Sequence, residues 1–232
     1  MKKNILLIGG SSGIGYQISE LLKVNNNIIV ASRTTGTLDT NKVKHLKFDV
    51  LEDDISQLDL PEKLDGFVYC PGSIDLKPFK MIKPENFEKE MNLNFFGMVK
   101  CLQGVLEKLK KSDQASLLFF STVAVKVGMP FHTSVAASKG AIEGFAKSLA
   151  AEYAPKFRVN VIAPSLTDTP LAEKLLSNED KRKKMDRRHP LKRIGAAKDI
   201  ANLASFLLSN ESGWITGQVL GVDGGLSTIN SN

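Results

Sequence analysis

The residues Gly9-Gly10-Ser11-Ser12-Gly13-Ile14-Gly15 follow the short apolar run Ile5 to Ile8 and lead into helix-spaced Ile14, Ile18, Leu21 and Leu22. A strand, a glycine-rich bend and a helix form the context in which glycines carry chemistry. Without a Cβ the chain turns tightly and brings backbone N–H groups against a phosphate, whose charge the helix N-terminus favours. No Gly-Lys-Ser/Thr follows Gly15, which argues against a phosphate-transferring loop. The spacing predicts a cradle for a diphosphate, with a purely structural turn as the alternative.

Other side chains could extend such a site. After the second predicted strand comes Ala31-Ser32-Arg33-Thr34. An acid there would bond an adenosine ribose, whereas a cation accommodates a 2′-phosphate. Arg33 can fork onto phosphate, and Ser32 and Thr34 add hydroxyl donors, so NADP(H) is expected over NAD(H), which stays possible. An exposed surface arginine is the alternative. His132 precedes the segment bearing Lys139, and an imidazole ionising near pH 6.5 suits proton transfer near neutrality, at about the pH where many enzymes work. A helix N-terminus would disfavour its charged form, and a loop or substrate contact is the competing role. Ser134 reads as the cap of that helix.

These groups need a frame, and the chain supplies an alternating one. Short β-branched runs fall at Ile5 to Ile8, Ile28 to Ser32, Val43 to Asp49, Gly66 to Tyr69, Ser116 to Ser121, Arg158 to Ala163 and Val219 to Val222. Helical patterns separate them, the clearest over Asn94 to Lys110, Ser134 to Tyr153 and Ala196 to Leu208. This predicts an α/β fold of the Rossmann type: a doubly wound three-layer sandwich around a central parallel sheet of about seven strands. With no linker or repeat, residues 1–232 are expected to form one dinucleotide-binding domain. Its least regular stretch, Pro164 to Pro190, suggests a substrate-covering insert at about 165–193. Leu102, Val105, Leu106 and Leu109 are expected in the core, with a dimer seam as the alternative.

Composition narrows the partners. The net charge of +6 is local, because Lys181 to Arg193 holds eight Lys or Arg against Asp186 alone. With no aromatic platform beside it, the segment reads as a solvated face or an anion-attracting lid, not as a nucleic-acid site. Cys70 and Cys101 have no metal-ligand spacing, so no metal and no disulfide framework are expected. The Met1-Lys2-Lys3 opening is faintly signal-like, but the apolar run behind it is too short, and no stretch approaches a membrane span. The expectation is a cytoplasmic protein with no membrane partner.

The spacing Gly-x-x-x-Gly-x-Gly resembles the short-chain dehydrogenase/reductase family, and the resemblance continues along nearly the whole chain. Asp49-Val50 is similar to the family's adenine contact, and Cys70-Pro71-Gly72 sits where Asn-Ala-Gly is usual. Asn94-Phe95-Phe96-Gly97 and Ala137-Ser138-Lys139 match its Asn-x-x-Gly and Lys-bearing helices. Val161 to Thr169 resembles the nicotinamide-gripping segment, with Ser165 for the usual Gly. Trp214-Ile215-Thr216-Gly217-Gln218 and Val222-Asp223-Gly224-Gly225 match the C-terminal signature. The resemblance implies cofactor contacts at Gly9, Ser11, Ser12, Gly13, Ile14, Gly15, Ser32, Arg33, Thr34, Asp49, Val50, Cys70, Pro71, Gly72, Lys139, Pro164, Thr167 and Thr169. It also implies a homodimer or homotetramer.

The same resemblance exposes a gap. The family's proton-donating tyrosine falls at Val135, which cannot transfer a proton. The serine position falls at Thr122, still a hydroxyl able to polarise a carbonyl. Ser121 should face the other way by strand alternation. Of the three tyrosines, Tyr16 and Tyr69 lie near the glycine turn and Tyr153 is about 27 Å along the helix at about 1.5 Å per residue, so none substitutes. Lys139 keeps its ribose role, and Asn94, which anchors a proton-relay water chain in the family, is structural if no phenol feeds it. The expected function is NADP(H)-dependent hydride transfer on a small carbonyl or alcohol, with Thr122, Lys139, Asn94 and His132 as candidates. The alternative is a catalytically silent NADP(H)-binding redox sensor or assembly subunit.

Overall fold

The computed structural model describes residues 2–230, so Met1 of the opening segment and the final Ser231 and Asn232 lie outside the described residues. The chain begins with β1 (Asn4–Ile8), α1 (Gly13–Leu22), β2 (Asn27–Ser32), β3 (Val43–Lys47) and β4 (Gly66–Tyr69). It continues with α2 (Pro84–Met91), a π-helical turn (Asn92–Phe96), α3 (Gly97–Lys110), β5 (Ala115–Phe120), the short α4 (Val123–Lys126) and α5 (Thr133–Tyr153). After β6 (Phe157–Pro164) come β7 (Thr167–Asp168), a 3-10 segment (Pro170–Leu176), α6 (Glu179–Arg188), β8 (Gly195–Ala196), α7 (Ala197–Leu208) and β9 (Val219–Val222).

Seven strands form one sheet in the order β3-β2-β1-β4-β5-β6-β9, and every neighbouring pair is parallel. Helices cover both faces, as a parallel sheet requires. Alternation along each strand divides the core. Ile5 and Leu7 of β1 join Ile18 and Leu22 of α1 and Ile200, Ala204 and Leu207 of α7. Leu6 and Ile8 face the other way, onto Met98, Leu102 and Val105 of α3 and Ile142 and Ala146 of α5. Each buried aliphatic side chain contributes about 1.5–3 kcal/mol, so a one-residue slip of β1 would expose both layers at once.

The expected fold class stands, with the following differences of detail. The third strand stops at Lys47 rather than Asp49, because Asp49 enters a turn: its carboxylate accepts from Leu51 N at 3.0 Å and its own amide donates to Asp53 at 2.7 Å. The helix expected from Asn94 is the last part of a longer helical run that starts at Pro84, where a proline at the first position needs no N–H. Pro164 to Pro190 is more regular than expected. Asn178 caps α6 by accepting from Lys181 N at 2.8 Å, and β7 pairs with β8 to close the segment on itself. Leu102, Val105 and Leu109 are buried and Leu106 packs partly against them, as core. Among the described residues no helix is long and apolar enough to cross a membrane.

Candidate functional site

The strand order reverses between β1 and β4, and a cavity of about 630 Å³ opens along the C-terminal ends of β1, β2, β4, β5 and β6. In doubly wound sheets that crevice is where ligands bind. All the residues that the resemblance assigns to the cofactor line it, from Gly9 through Arg33, Asp49, Cys70 and Lys139 to Thr169.

The glycine bend makes one end. Gly13 has φ of +53°, a conformation that costs other residues roughly 1–2 kcal/mol, and it opens α1. At Gly15 a Cβ would sit 2.9 Å from both Gly10 Cα and Gly9 O, so the helix can approach the bend only with glycine there. The first-turn N–H groups of α1 have no helical acceptor by construction, and no acidic side chain stands in that turn. The amides and the helix dipole therefore converge on the cavity, a fit for a diphosphate. Nearby, Arg33 is exposed on the lining and forms no ion pair or hydrogen bond with any described residue. Ser32 differs from expectation: its single hydroxyl hydrogen is directed to Thr34 O at 2.8 Å while His45 Nε2 lies 3.1 Å away, so it is no free phosphate donor.

The other end gathers Thr122, His132, Val135 and Lys139 around the cavity. Thr122 caps α4 by accepting from Ala124 N at 3.3 Å, which uses a lone pair and leaves its O–H free. Ser121 is pinned elsewhere, donating to Glu143 of α5. The cap of α5 is His132, not Ser134, which lies inside the first turn with its hydroxyl buried and unpartnered. His132 Nδ1 is 2.7 Å from Pro130 O. A carbonyl only accepts, so Nδ1 carries the hydrogen, and Nε2 of the neutral ring is a base rather than an acid. Lys139 is buried and has no hydrogen bond or ion pair with a described residue, and burial pulls its ammonium down to about 8.

Asn94 is not on the lining. Its side-chain amide donates to Ser138 Oγ at 2.9 Å and accepts from Ser73 N at 3.1 Å, so it ties the loop after β4 to α5. Among the described residues, no tyrosine lines the cavity. Tyr69 donates to Leu93 O at 2.6 Å, Tyr153 stacks on Phe157, and Tyr16, within α1, packs half-buried against the core layer that holds Ile18 and Leu22.

Two groups were not singled out from the sequence. His189 is buried and joins Met185 O at 2.9 Å to Ser165 Oγ at 2.8 Å, which fastens the end of the basic segment to the end of β6. Glu90 is buried one helical turn before Asn94, and only its i to i+4 spacing to that residue could have drawn attention. The basic segment itself is partly neutralised: Arg182 pairs with Asp168 at 2.8 Å, Lys183 with Glu179, and Arg193 with Asp199.

A family model described as Enoyl-(Acyl carrier protein) reductase matches residues 9–227, from the glycine bend to beyond β9. The chain belongs to the short-chain dehydrogenase/reductase family. Among its relatives, the 3-oxoacyl-(acyl-carrier-protein) reductase of Buchnera aphidicola is 30% identical over 97% of both chains. A tropinone reductase homologue of Datura stramonium is 31% identical over 97% of this chain and 91% of its own. Of solved structures, the ligand-free aldohexose dehydrogenase of Thermoplasma acidophilum superposes with a TM-score of 0.90 at 26% identity, covering 100% of this chain and 97% of that one. The NADP-bound structure of ElxO gives 0.89 at 26% identity, covering 99% and 100%. The short-chain dehydrogenase/reductase pattern thus extends over the sheet, both helical layers and the cavity rim.

Proposed function

We propose that the protein is an NADP(H)-dependent oxidoreductase that reduces a small carbonyl compound or oxidises the matching alcohol, through a site in which Val135 stands where the family carries its tyrosine. The bound nicotinamide supplies or takes the hydride. The turn Gly9 to Gly15 holds the diphosphate through its amides. Asp49 and Val50 flank the adenine, while Arg33 and Thr34 take the 2′-phosphate. Cys70, Pro71, Gly72, Pro164, Thr167 and Thr169 line the route to the nicotinamide, and Lys139 orients its ribose.

The reading rests on one observation: a single cavity runs from the amide-lined bend to the free Thr122 hydroxyl and the Lys139 ammonium. Thr122 donates to the substrate oxygen, where negative charge grows during reduction. The proton comes from solvent or from His132. A positioned acid contributes about 10²- to 10⁴-fold and orientation can contribute more, so absence of the phenol slows the reaction without abolishing it. The relatives named as reductases and dehydrogenases support turnover over a silent binder. Residues 1–232 are read as one domain whose 165–193 insert covers the substrate, in a homodimer or homotetramer that light scattering would detect.

The test is NADPH consumption across a panel of ketones, aldehydes and acyl thioesters, with calorimetry of NADPH and NADH alongside. Turnover with at least one carbonyl class is expected. Tight NADPH binding without turnover at any pH would leave only the silent binder, and no binding of either nucleotide would remove both.

A further inference from the structure

The least explained polar group near the cavity is Glu90. It is 97% inaccessible, since 3% of its surface is exposed, and its Oε2 has no hydrogen-bond partner. Its Oε1 accepts from Asp75 N at 3.1 Å and lies 3.4 Å from Ser73 Oγ, so one oxygen holds the cavity-lining loop while the other is left over. A buried carboxyl oxygen without a partner costs free energy, on the order of 1–3 kcal/mol, and calls for a reason.

Lys139 is the complementary oddity, a buried cation without a bonded anion. The two groups share one corner of the fold. Asn94, four residues after Glu90, has its Oδ1 beside Gly72, and Lys139 Nζ borders the same glycine: a Cβ built there would lie 3.4 Å and 3.5 Å from them. The Ser134 hydroxyl lies beside Glu90 across the interface between α2 and α5, on the helix that carries Lys139. Burial pushes the Glu90 carboxyl up, a tendency that the Ser134 hydroxyl and the Asp75 amide oppose and the Asp75 carboxylate reinforces. On Lys139, burial dominates, while Cys70 at the end of β4 and Glu90 on α2 favour the charged form.

We infer that Glu90 is a positioning residue acting through Lys139: the buried counter-charge that keeps the ammonium protonated while it holds the cofactor ribose. The ribose clause rests on the function proposed above, but the electrostatic one does not. No proton or bond changes hands between the two groups. The field of one carboxylate supplies the effect, worth on the order of one pH unit at an effective dielectric near 20.

The experiment is a pH titration of the cofactor-free protein by NMR with ¹³C-labelled lysine, the Lys139 resonance being assigned from its loss in K139R. In E90Q, which keeps the side chain's size and its carbonyl acceptor toward Asp75 N, the Lys139 midpoint should fall by about one pH unit. E90D should restore most of it. With NADPH, the alkaline fall of binding and turnover should move downward with the same midpoint. A midpoint unmoved in E90Q overturns the inference, because a residue that only anchored the 73–76 loop would leave Lys139 untouched. A wild-type Glu90 carboxyl still protonated where Lys139 titrates would overturn it as well, without any variant. If Lys139 shifts but NADPH never binds, the counter-charge stands and the proposed function fails. If NADPH binds but Lys139 does not shift, the reverse holds.

Discussion

The two ends of the cavity are built on different principles. Around Gly9 to Gly15 the working groups are backbone amides aimed by a strand, a bend and a helix, and Arg33 lies alongside unpaired. Around α5 the working groups are side chains, and several are already committed: Ser121 to Glu143, Asn94 to Ser73 and Ser138, His132 to Pro130. A backbone site is finished when its elements form. A side-chain site depends on which hydrogen bonds the surrounding structure has left free, and at this end those belong to Thr122, Lys139 and the Nε2 of His132.

That contrast can be broken most sharply at Val135. Val135→Tyr should raise kcat for a carbonyl substrate by about 10²- to 10⁴-fold if the side-chain end lacks only an acid. A fall instead would mean that the space serves a different chemistry. In the opposite direction, Thr122→Ala should lower kcat by about 10²- to 10³-fold with little change in NADPH affinity, read from steady-state kinetics and calorimetry together. An equal loss of binding would show that Thr122 holds the fold or cofactor instead.

Lys139 links the two ends and gives the pH signature. Its value in the fold, about 8, lies below the ordinary 10.5, so the unfolded chain holds more protons between those values and stability rises as pH increases through that window. The rise should total on the order of 3 kcal/mol in denaturant melts and be absent in Lys139→Met. Activity should show the other face of the same titration, falling above about pH 8 as the ammonium is lost.

The smaller effects belong to the backbone end. Gly15→Ala forces a Cβ to 2.9 Å from backbone atoms, and the resulting shift, worth about 1–3 kcal/mol, should weaken NADPH by roughly 10- to 100-fold. Arg33→Ala should cost about tenfold in NADPH affinity, in keeping with an exposed charge-assisted contact, and leave NADH unchanged. Equal losses for both nucleotides would move Arg33 out of the 2′-phosphate role.

Much of this was legible beforehand for a physical reason. The β-branched runs and the helix-spaced apolar residues specify layers locally, and the glycine bend carries its own conformational requirement, so the sheet and the cradle follow from short stretches. Asp49, Asn94 and Ser134 illustrate what was not legible. Each resembles a functional or capping residue by position, but only packing sets Asp49 past the end of its strand on the cavity rim, makes Asn94 a tether and buries Ser134 within the helix. Glu90 stands in a highly charged helix, and only packing places it inside.

The amino-acid sequence alone determined the parallel α/β architecture, the glycine bend ahead of α1 and the valine at position 135, because these depend on periodicity, on glycine and on side-chain identity. Tertiary structure alone decided which polar atoms remain available. Whether Ser32, Asn94 or His132 has a proton or lone pair to offer depends on partners 2 to 44 residues away, and whether Lys139 and Glu90 feel each other depends on the burial that only packing creates.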